Sequence, residues 1–241
     1  MAKIIVIEGT DGSGKETQSK KLESYYKELG YKVKRYSFPV YESATGKIVG
    51  GPFLGKPEIM DTFFEETSFH IDPIVSSLYY AADRRYNFLK EIENELSLND
   101  IVIFDRYTTS SMGFQVAKAK NEKDREKILR FLEILEYDLC ELPRPDLVLF
   151  LHMPLEAAAE LRKGREFSDG IEADLEYQKH SENTYLYLCD KCDWKYINCI
   201  NGEYHSIKDI KSIDSISEEI ISIVDDDLKK DENQVMKMTR F

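Results

Sequence analysis

Long apolar runs are missing from this chain, and no stretch approaches the ~20 residues a helix needs to cross a bilayer. Cysteine is scarce. The four present, Cys140, Cys189, Cys192 and Cys199, are too few for a disulfide framework in 241 residues. Cys189-x-x-Cys192, followed by Cys199, is the one metal-like spacing, and no second pair or paired histidines complete a tetrahedral set. Reduced structural thiols are expected. Positive charge is also in deficit: 33 Lys and Arg stand against 45 Asp and Glu, and the net charge of −12 argues against a general affinity for nucleic acid or anionic membrane. Met1-Ala-Lys runs straight into the first apolar segment, so no signal peptide and a cytoplasmic protein are expected. The remainder, 42% hydrophobic and 32% charged, is ordinary for a globular protein.

Ile4 to Ile7 are four consecutive aliphatic residues, the pattern of a strand buried on both faces. They lead through Glu8 into Gly9, Thr10, Asp11, Gly12, Ser13 and Gly14, a loop able to turn tightly and approach a bound anion. Lys15 opens a helix whose free N–H groups and positive dipole end point back into that loop. This strand–loop–helix context fits the phosphate-binding pattern G-x-x-x-x-G-K-[ST], with Lys15 placed for the β- and γ-phosphates. The expected ATP-binding set is Gly9 to Thr17. One position departs: Glu16 stands where a hydroxyl usually serves Mg²⁺, and the first hydroxyl is Thr17. Glu16, Thr17 and Asp105 are the candidate metal ligands.

Along the chain, Leu22, Tyr25, Tyr26 and Leu29 give the first helix an apolar face, and Gly30 is placed to end it. Residues 32–38 alternate in the manner of an edge strand. Tyr41 to Pro57 holds four glycines and two prolines and reads as a short helix between loops, a candidate for substrate contact or motion. From Pro73 to about Leu96 the period is helical, with Ile74, Leu78, Tyr79, Ala82, Tyr86, Leu89 and Ile92 in one stripe. Tyr80 and Arg84, four apart, share one side of that helix. Ile101 to Phe104 is a second buried strand, ending in Asp105-Arg-Tyr107. At the carboxyl end of such a strand, Asp105 can hold Mg²⁺ or orient an attacking oxygen, and Arg106 can clamp phosphates.

Glu122 to Glu141 is a charged amphipathic helix burying Ile128, Phe131, Leu132 and Leu135. Leu147 to Leu151 is a third buried strand, and Pro154 starts a helix at a favoured position. That helix reaches Arg162-Lys-Gly-Arg165, which reads either as a solvated helix end or as a mobile lid, about 162–173, carrying arginines. A helix over 174–188, a last strand over 194–200 and a final helix introduced by a capping box at Ser206-Ile-Lys-Asp209 complete the pattern. The polar tail, 225–241, is expected to fray. The outcome is an α/β fold in one domain, 1–224, with five mostly parallel strands and helices on both faces.

In order and spacing, Glu8-Gly-Thr-Asp-Gly-Ser-Gly-Lys15, Phe38-Pro39, Leu78-Tyr-Tyr-Ala-Ala-Asp-Arg84, Asp105-Arg-Tyr-x-x-Ser110 and the Arg162/Arg165 segment resemble the thymidylate kinase family of P-loop nucleoside-monophosphate kinases. The likeness runs to about residue 224. It implies a three-layer P-loop NTPase fold with a lid, and transfer of the ATP γ-phosphoryl group to dTMP with Mg²⁺. Arg84 then matches the arginine that bonds the thymine base and Tyr80 the ring that stacks on it. Phe38 would line the same pocket, with Ser110 and Gln115 on the other side of the base. Asp11 would face the 3′-hydroxyl and Tyr107 would crowd the 2′ position. Arg106 would clamp the acceptor phosphate and Lys15 the donor. Gly12 stands where some members carry a loop arginine, so Arg162 and Arg165 of the lid would supply charge neutralisation.

Val40-Tyr41 follows Phe38-Pro39 where many relatives place an acid and an arginine, which makes Tyr41, or a lysine such as Lys47, a candidate for the acceptor phosphate. The resemblance further implies a homodimer that takes small nucleotides and binds neither nucleic acid nor membrane. Two alternatives stay open on the residues: a related kinase with another deoxynucleotide or nucleoside acceptor, and a nucleotide-binding module without turnover.

Overall fold

Successive strand residues point to opposite faces, so a strand that is apolar throughout needs cover on both. The computed structural model, which describes residues 2–162 and 174–238 (without side chains at 162 and 232–238), supplies that cover. Strands β1 (Lys3–Gly9), β2 (Val33–Ser37), β3 (Ile101–Asp105), β4 (Leu147–His152) and β5 (Lys195–Asn198) form one sheet in the order β2-β3-β1-β4-β5. Every pair is parallel. β2 lies at an edge, as its alternation predicts.

The α-helices in chain order are α1 (Lys15–Glu28), α2 (Ala44–Ile48), α3 (Pro73–Asn87), α4 (Glu93–Leu98), α5 (Thr108–Val116), α6 (Glu122–Glu133), α7 (Leu155–Arg162), α8 (Leu175–Cys192) and α9 (Ile213–Met238). Ile5, Ile7, Ile101, Ile103, Leu149 and Leu151 join Leu22 and Tyr26 of α1, Ala157 and Ala158 of α7, and Ile216, Ile220 and Val224 of α9 in one core. Ile4, Val6, Val102, Phe104, Val148 and Phe150 face the other way, onto α5, α6, α8 and the chain after α3. Burial of each such aliphatic side chain contributes about 1.5–3 kcal/mol, so the three central strands anchor both layers. The three-layer architecture agrees with expectation.

Four details differ from the sequence reading. The turn after α3, Phe88–Ile92, and that after α6, Ile134–Leu139, wind as π-helix, which shifts the inward face of each. The apolar stripe read over Pro73 to Leu96 does not lie on one buried face: Ile92 is buried and Tyr79 packs on Phe53, while much of the rest faces outward. Leu78, Tyr86 and Leu89 are 50%, 41% and 50% exposed, while Ser76, Ser77, Asp83, Arg84 and Asn87 are buried. The capping box at Ser206 and Asp209 is present, but it caps the short 3₁₀ turn Ile207–Asp209. The final helix starts later, after Ile210 bridges to Ile200. The polar stretch after Val224 continues α9 to Met238, because its acids have partners: Asp225 accepts from the Tyr26 hydroxyl at 2.7 Å, and Lys3 pairs with Asp227 at 2.5 Å and with Asp231. All four cysteines are free thiols, as expected.

Candidate active site

The carboxyl ends of β1 and β3 open onto one cleft of about 640 Å³ lined by Asp11, Gly12, Gly14, Lys15, Glu16, Thr17, Asp105 and Arg106. Backbone chemistry shapes the loop. A Cβ at Gly9 would fall 2.4 Å from the Ser13 hydroxyl and 2.8 Å from the Leu151 carbonyl, so only glycine fits there. Gly14, at φ 85°, turns the chain into α1 without a side-chain cap, and the first N–H groups of the helix face the cleft as anion donors. Lys15 is buried, with its ammonium on the Thr10 carbonyl at 2.8 Å. Burial, reinforced by Arg106, lowers its pKa to about 8.

Asp105 and Arg106 end β3. Asp105 is buried; burial lifts its carboxyl above the usual range against the pull of Lys15 and Arg106. Arg106 has φ 65°, a left-handed conformation that a non-glycine residue holds only when its surroundings impose it. Its N–H donates to the Ile7 carbonyl at 3.2 Å, and its guanidinium pairs with Asp11 and lies 5.2 Å over the Phe114 ring. Burial opposes that charge, but Asp11 and the acids around it outweigh burial and raise the pKa.

A second cavity, about 200 Å³, adjoins the cleft. Phe38, Tyr80, Arg84, Tyr107, Ser110 and Gln115 line it, and it shares Asp11, Phe38, Pro39, Tyr41 and Arg106 with the cleft. The structure thus brings the residues expected around a base and those expected around a phosphate chain to two sides of one boundary. Arg84 is held from behind: Nε donates to Glu136 at 3.0 Å, and Nη2 donates to the second Glu136 oxygen and to Ser111 at 2.7 Å. Burial alone would lower the Arg84 pKa, and the Glu136 carboxylate reverses that. The Gln115 Oε1 is buried without a partner among the described residues, an acceptor aimed at whatever fills the cavity. Tyr107 is stacked on Phe104 at 4.4 Å, and its hydroxyl donates to the Pro143 carbonyl.

Three carboxylates carry roles that the motifs did not assign. Glu8, fully buried, accepts from the Tyr107 N–H (3.3 Å) and from the hydroxyls of Thr109 (2.7 Å), Ser110 (2.8 Å) and Tyr185 (2.9 Å). Ser110, expected at the base, therefore lines the cavity while its proton goes to Glu8. Asp83 accepts from the Val40 N–H, Ser43, Thr45 and Asn87, and so fastens the segment after Pro39 to α3. Glu136 was legible in principle, since it falls four after Leu132 on the apolar side of its helix.

Of the remaining expected groups, Glu16 gathers here and Lys47 does not. Glu16 lines the cleft, with its carboxylate on Lys20 one turn further along α1 at 2.5 Å. Lys47 is exposed on α2. Arg165 lies outside the described residues, and Arg162 closes α7 with its side chain outside them. Among the described residues no group of three His, Cys, Asp or Glu side chains could hold a metal ion. Thr17, Glu16 and Asp105 all line the cleft, a sparse donor set that suits a magnesium ion carried mainly by nucleotide phosphates and water.

The family described as thymidylate kinase matches residues 7–210. The chain belongs to the thymidylate kinase family. It is an enzyme that phosphorylates dTMP, with ATP as the donor the family implies. The probable thymidylate kinase of Thermococcus onnurineus (strain NA1) is 30% identical, over 94% of this chain and 98% of its own. The thymidylate kinase of Arabidopsis thaliana is 28% identical over 87% of this chain and 70% of its own. Among solved structures, thymidylate kinase from Candida albicans superposes with TM-score 0.65 at 22% identity, covering 93% of this chain and 91% of that one. The enzyme from Ehrlichia chaffeensis gives 0.60 at 20% identity, covering 92% and 98%. These two show a shared fold. No helix among the described residues of this kinase is long and apolar enough to cross a membrane.

With its pKa lowered to about 8, the buried Lys15 ammonium titrates in the free enzyme. The charged form, the one able to meet a phosphate, predominates below that pH and is lost above it. The kcat/KM for ATP therefore falls as pH passes through about 8, and a flat profile from pH 7 to 9 would show that Lys15 stays charged.

Proposed function

We propose that the γ-phosphoryl group crosses the boundary between the two cavities, from ATP in the phosphate-loop cleft to dTMP in the pocket behind it. The meeting of the two cavities at Asp11, Tyr41 and Arg106 supports this reading most strongly. In it, thymine lies between Tyr80 and Phe38, with its N3–H toward the Gln115 Oε1 and its exocyclic oxygen toward the outer guanidinium nitrogen of Arg84. Asp11 meets the 3′-hydroxyl, and Tyr107 closes the pocket where a 2′-hydroxyl would project. Ser110 acts through Glu8 and shapes the wall.

The chemistry needs placement and charge. An oxygen of the acceptor phosphate attacks the γ-phosphorus, the bond to the bridging oxygen breaks, and ADP leaves with that electron pair. Lys15, the loop N–H groups and Arg106 stabilise the charge on the moving group and hold both polyanions in line. Arg162 and Arg165 of the lid add positive charge in the same reading. Magnesium held by Asp105 and Thr17 would offset charge on the β- and γ-oxygens. Asp105, buried beside Lys15, is also placed to orient the attacking oxygen.

The intact set of Lys15, Asp105 and Arg106 around one cleft favours turnover over a module that only binds. In a coupled ADP-release assay with ATP and Mg²⁺, dTMP is the best acceptor among dTMP, dUMP, dCMP and thymidine. Lys15→Ala lowers kcat by roughly 10²–10³-fold, the usual cost of losing one transition-state donor. ATP binding without turnover on any of the four acceptors would leave the module; preference for another acceptor would leave the related kinase.

The outward face formed by Val75, Leu78 and Tyr86 of α3 and by Leu89 just after it is the surface we assign to a second copy of this chain, since one helix face can pack on itself across a two-fold axis. The opposite face of α3 carries Asp83 and Arg84, so the contact would back the acceptor pocket. Sedimentation should give a dimer for the wild type and a monomer for Leu78→Asp; an unchanged dimer in that variant would move the interface elsewhere.

A further inference from the structure

The acceptor phosphate poses a charge problem that the expected residues leave unsolved. A phosphate monoester carries roughly −1.5 to −2 charge at pH 7. Val40 and Tyr41 bring no charge after Phe38-Pro39, Arg106 pairs with Asp11, and Lys47 lines neither cavity. Lys56 does line the acceptor pocket, together with Tyr41 and Arg106. Its ammonium lies 4.8 Å from the centroid of the Tyr41 ring, and Tyr41 borders both cavities.

The glycine-rich segment is wound to produce this arrangement. A Cβ at Gly46 would fall 1.7 Å from the Val40 carbonyl, and one at Gly50 would fall 2.8 Å from the Tyr41 ring. The helix from Ala44 to Phe53 is therefore pressed against Tyr41 more closely than any other residue at those positions allows. Gly55, at φ 67°, then turns the chain back, and the Lys56 N–H donates to the Gly50 carbonyl at 2.7 Å. Val49, Phe53, Leu54 and Ile71 form a small core of their own beneath the turn, so Lys56 stands on a packed platform.

We propose that Lys56, seated on Tyr41 at the end of this glycine-wound segment, supplies beside Arg106 the second positive charge for the acceptor phosphate. The proposal rests on the reading that dTMP fills this pocket. A lysine that only buttresses Tyr41 would affect base and phosphate binding alike, and this separates the two roles.

The test compares the KM for dTMP with the inhibition constant of thymidine, which lacks the phosphate, in wild type, Lys56→Met, Lys56→Arg and Lys47→Met. Lys56→Met should raise the dTMP KM by roughly tenfold or more, as loss of a charge that meets a charged ligand does, while thymidine inhibition stays within about twofold. Lys56→Arg keeps most of the dTMP affinity, and Lys47→Met behaves as wild type. An unchanged dTMP KM in Lys56→Met, or an equal weakening of dTMP and thymidine, would overturn the proposal. A wild-type enzyme that turns over other acceptors but not dTMP would overturn the functional reading, and this proposal with it.

Discussion

A single carboxylate ties the catalytic edge of this molecule together. Glu8 is fully buried at the end of β1, and a buried carboxylate without partners would cost several kcal/mol. Its charge is met by four donors: the backbone of Tyr107, the hydroxyls of Thr109 and Ser110 at the start of α5, and the hydroxyl of Tyr185 on α8. The phosphate loop begins at the next residue, Gly9. The loop, the wall of the second cavity and α8 are therefore tied together by one group. The left-handed backbone of Arg106 belongs to the same constraint, because it lies between Asp105 at the strand end and the Tyr107 N–H that reaches Glu8.

The other buried acids repeat this device on a smaller scale. Glu136 holds Arg84 so that only part of its guanidinium faces the cavity, and Asp83 ties the Val40–Thr45 backbone to α3. These demands explain why α3 turns its polar side inward. Four of its buried residues, Ser77, Asp83, Arg84 and Asn87, are hydrogen-bonded to neighbouring groups, and much of its apolar stripe is left at the surface.

Much of this was legible in residue order. The runs Ile4–Ile7, Ile101–Phe104 and Leu147–Leu151 mark the central parallel strands because strands covered on both faces lose their alternation. The glycine loop, Asp105-Arg-Tyr107 and the Tyr80/Arg84 pair fall at strand ends or on one helix face, and the fold brings them to a common boundary. What stayed hidden depends on contacts distant in sequence. Glu8 and Tyr185 are 177 residues apart, and nothing in either neighbourhood announces the pair. The direction of the stripe on α3 stayed open, because periodicity shows that a face exists and not which way it turns. The last turns of α9 look too polar to order until Tyr26 and Lys3 are seen to receive their acids.

The Glu8 charge positions Arg106 and the wall of the second cavity, and Glu8→Gln, which keeps the volume and removes the charge, tests this when kcat, the KM for ATP and the thermal midpoint are measured together. A buried carboxylate bonded to several donors contributes on the order of 3 kcal/mol, so the midpoint should fall by roughly 6–12 °C. At a temperature where the variant remains folded, kcat should fall by about tenfold or more while the KM for ATP changes little. A variant that melts lower yet turns over as fast as wild type would show that Glu8 only stabilises the fold, and would contradict the account.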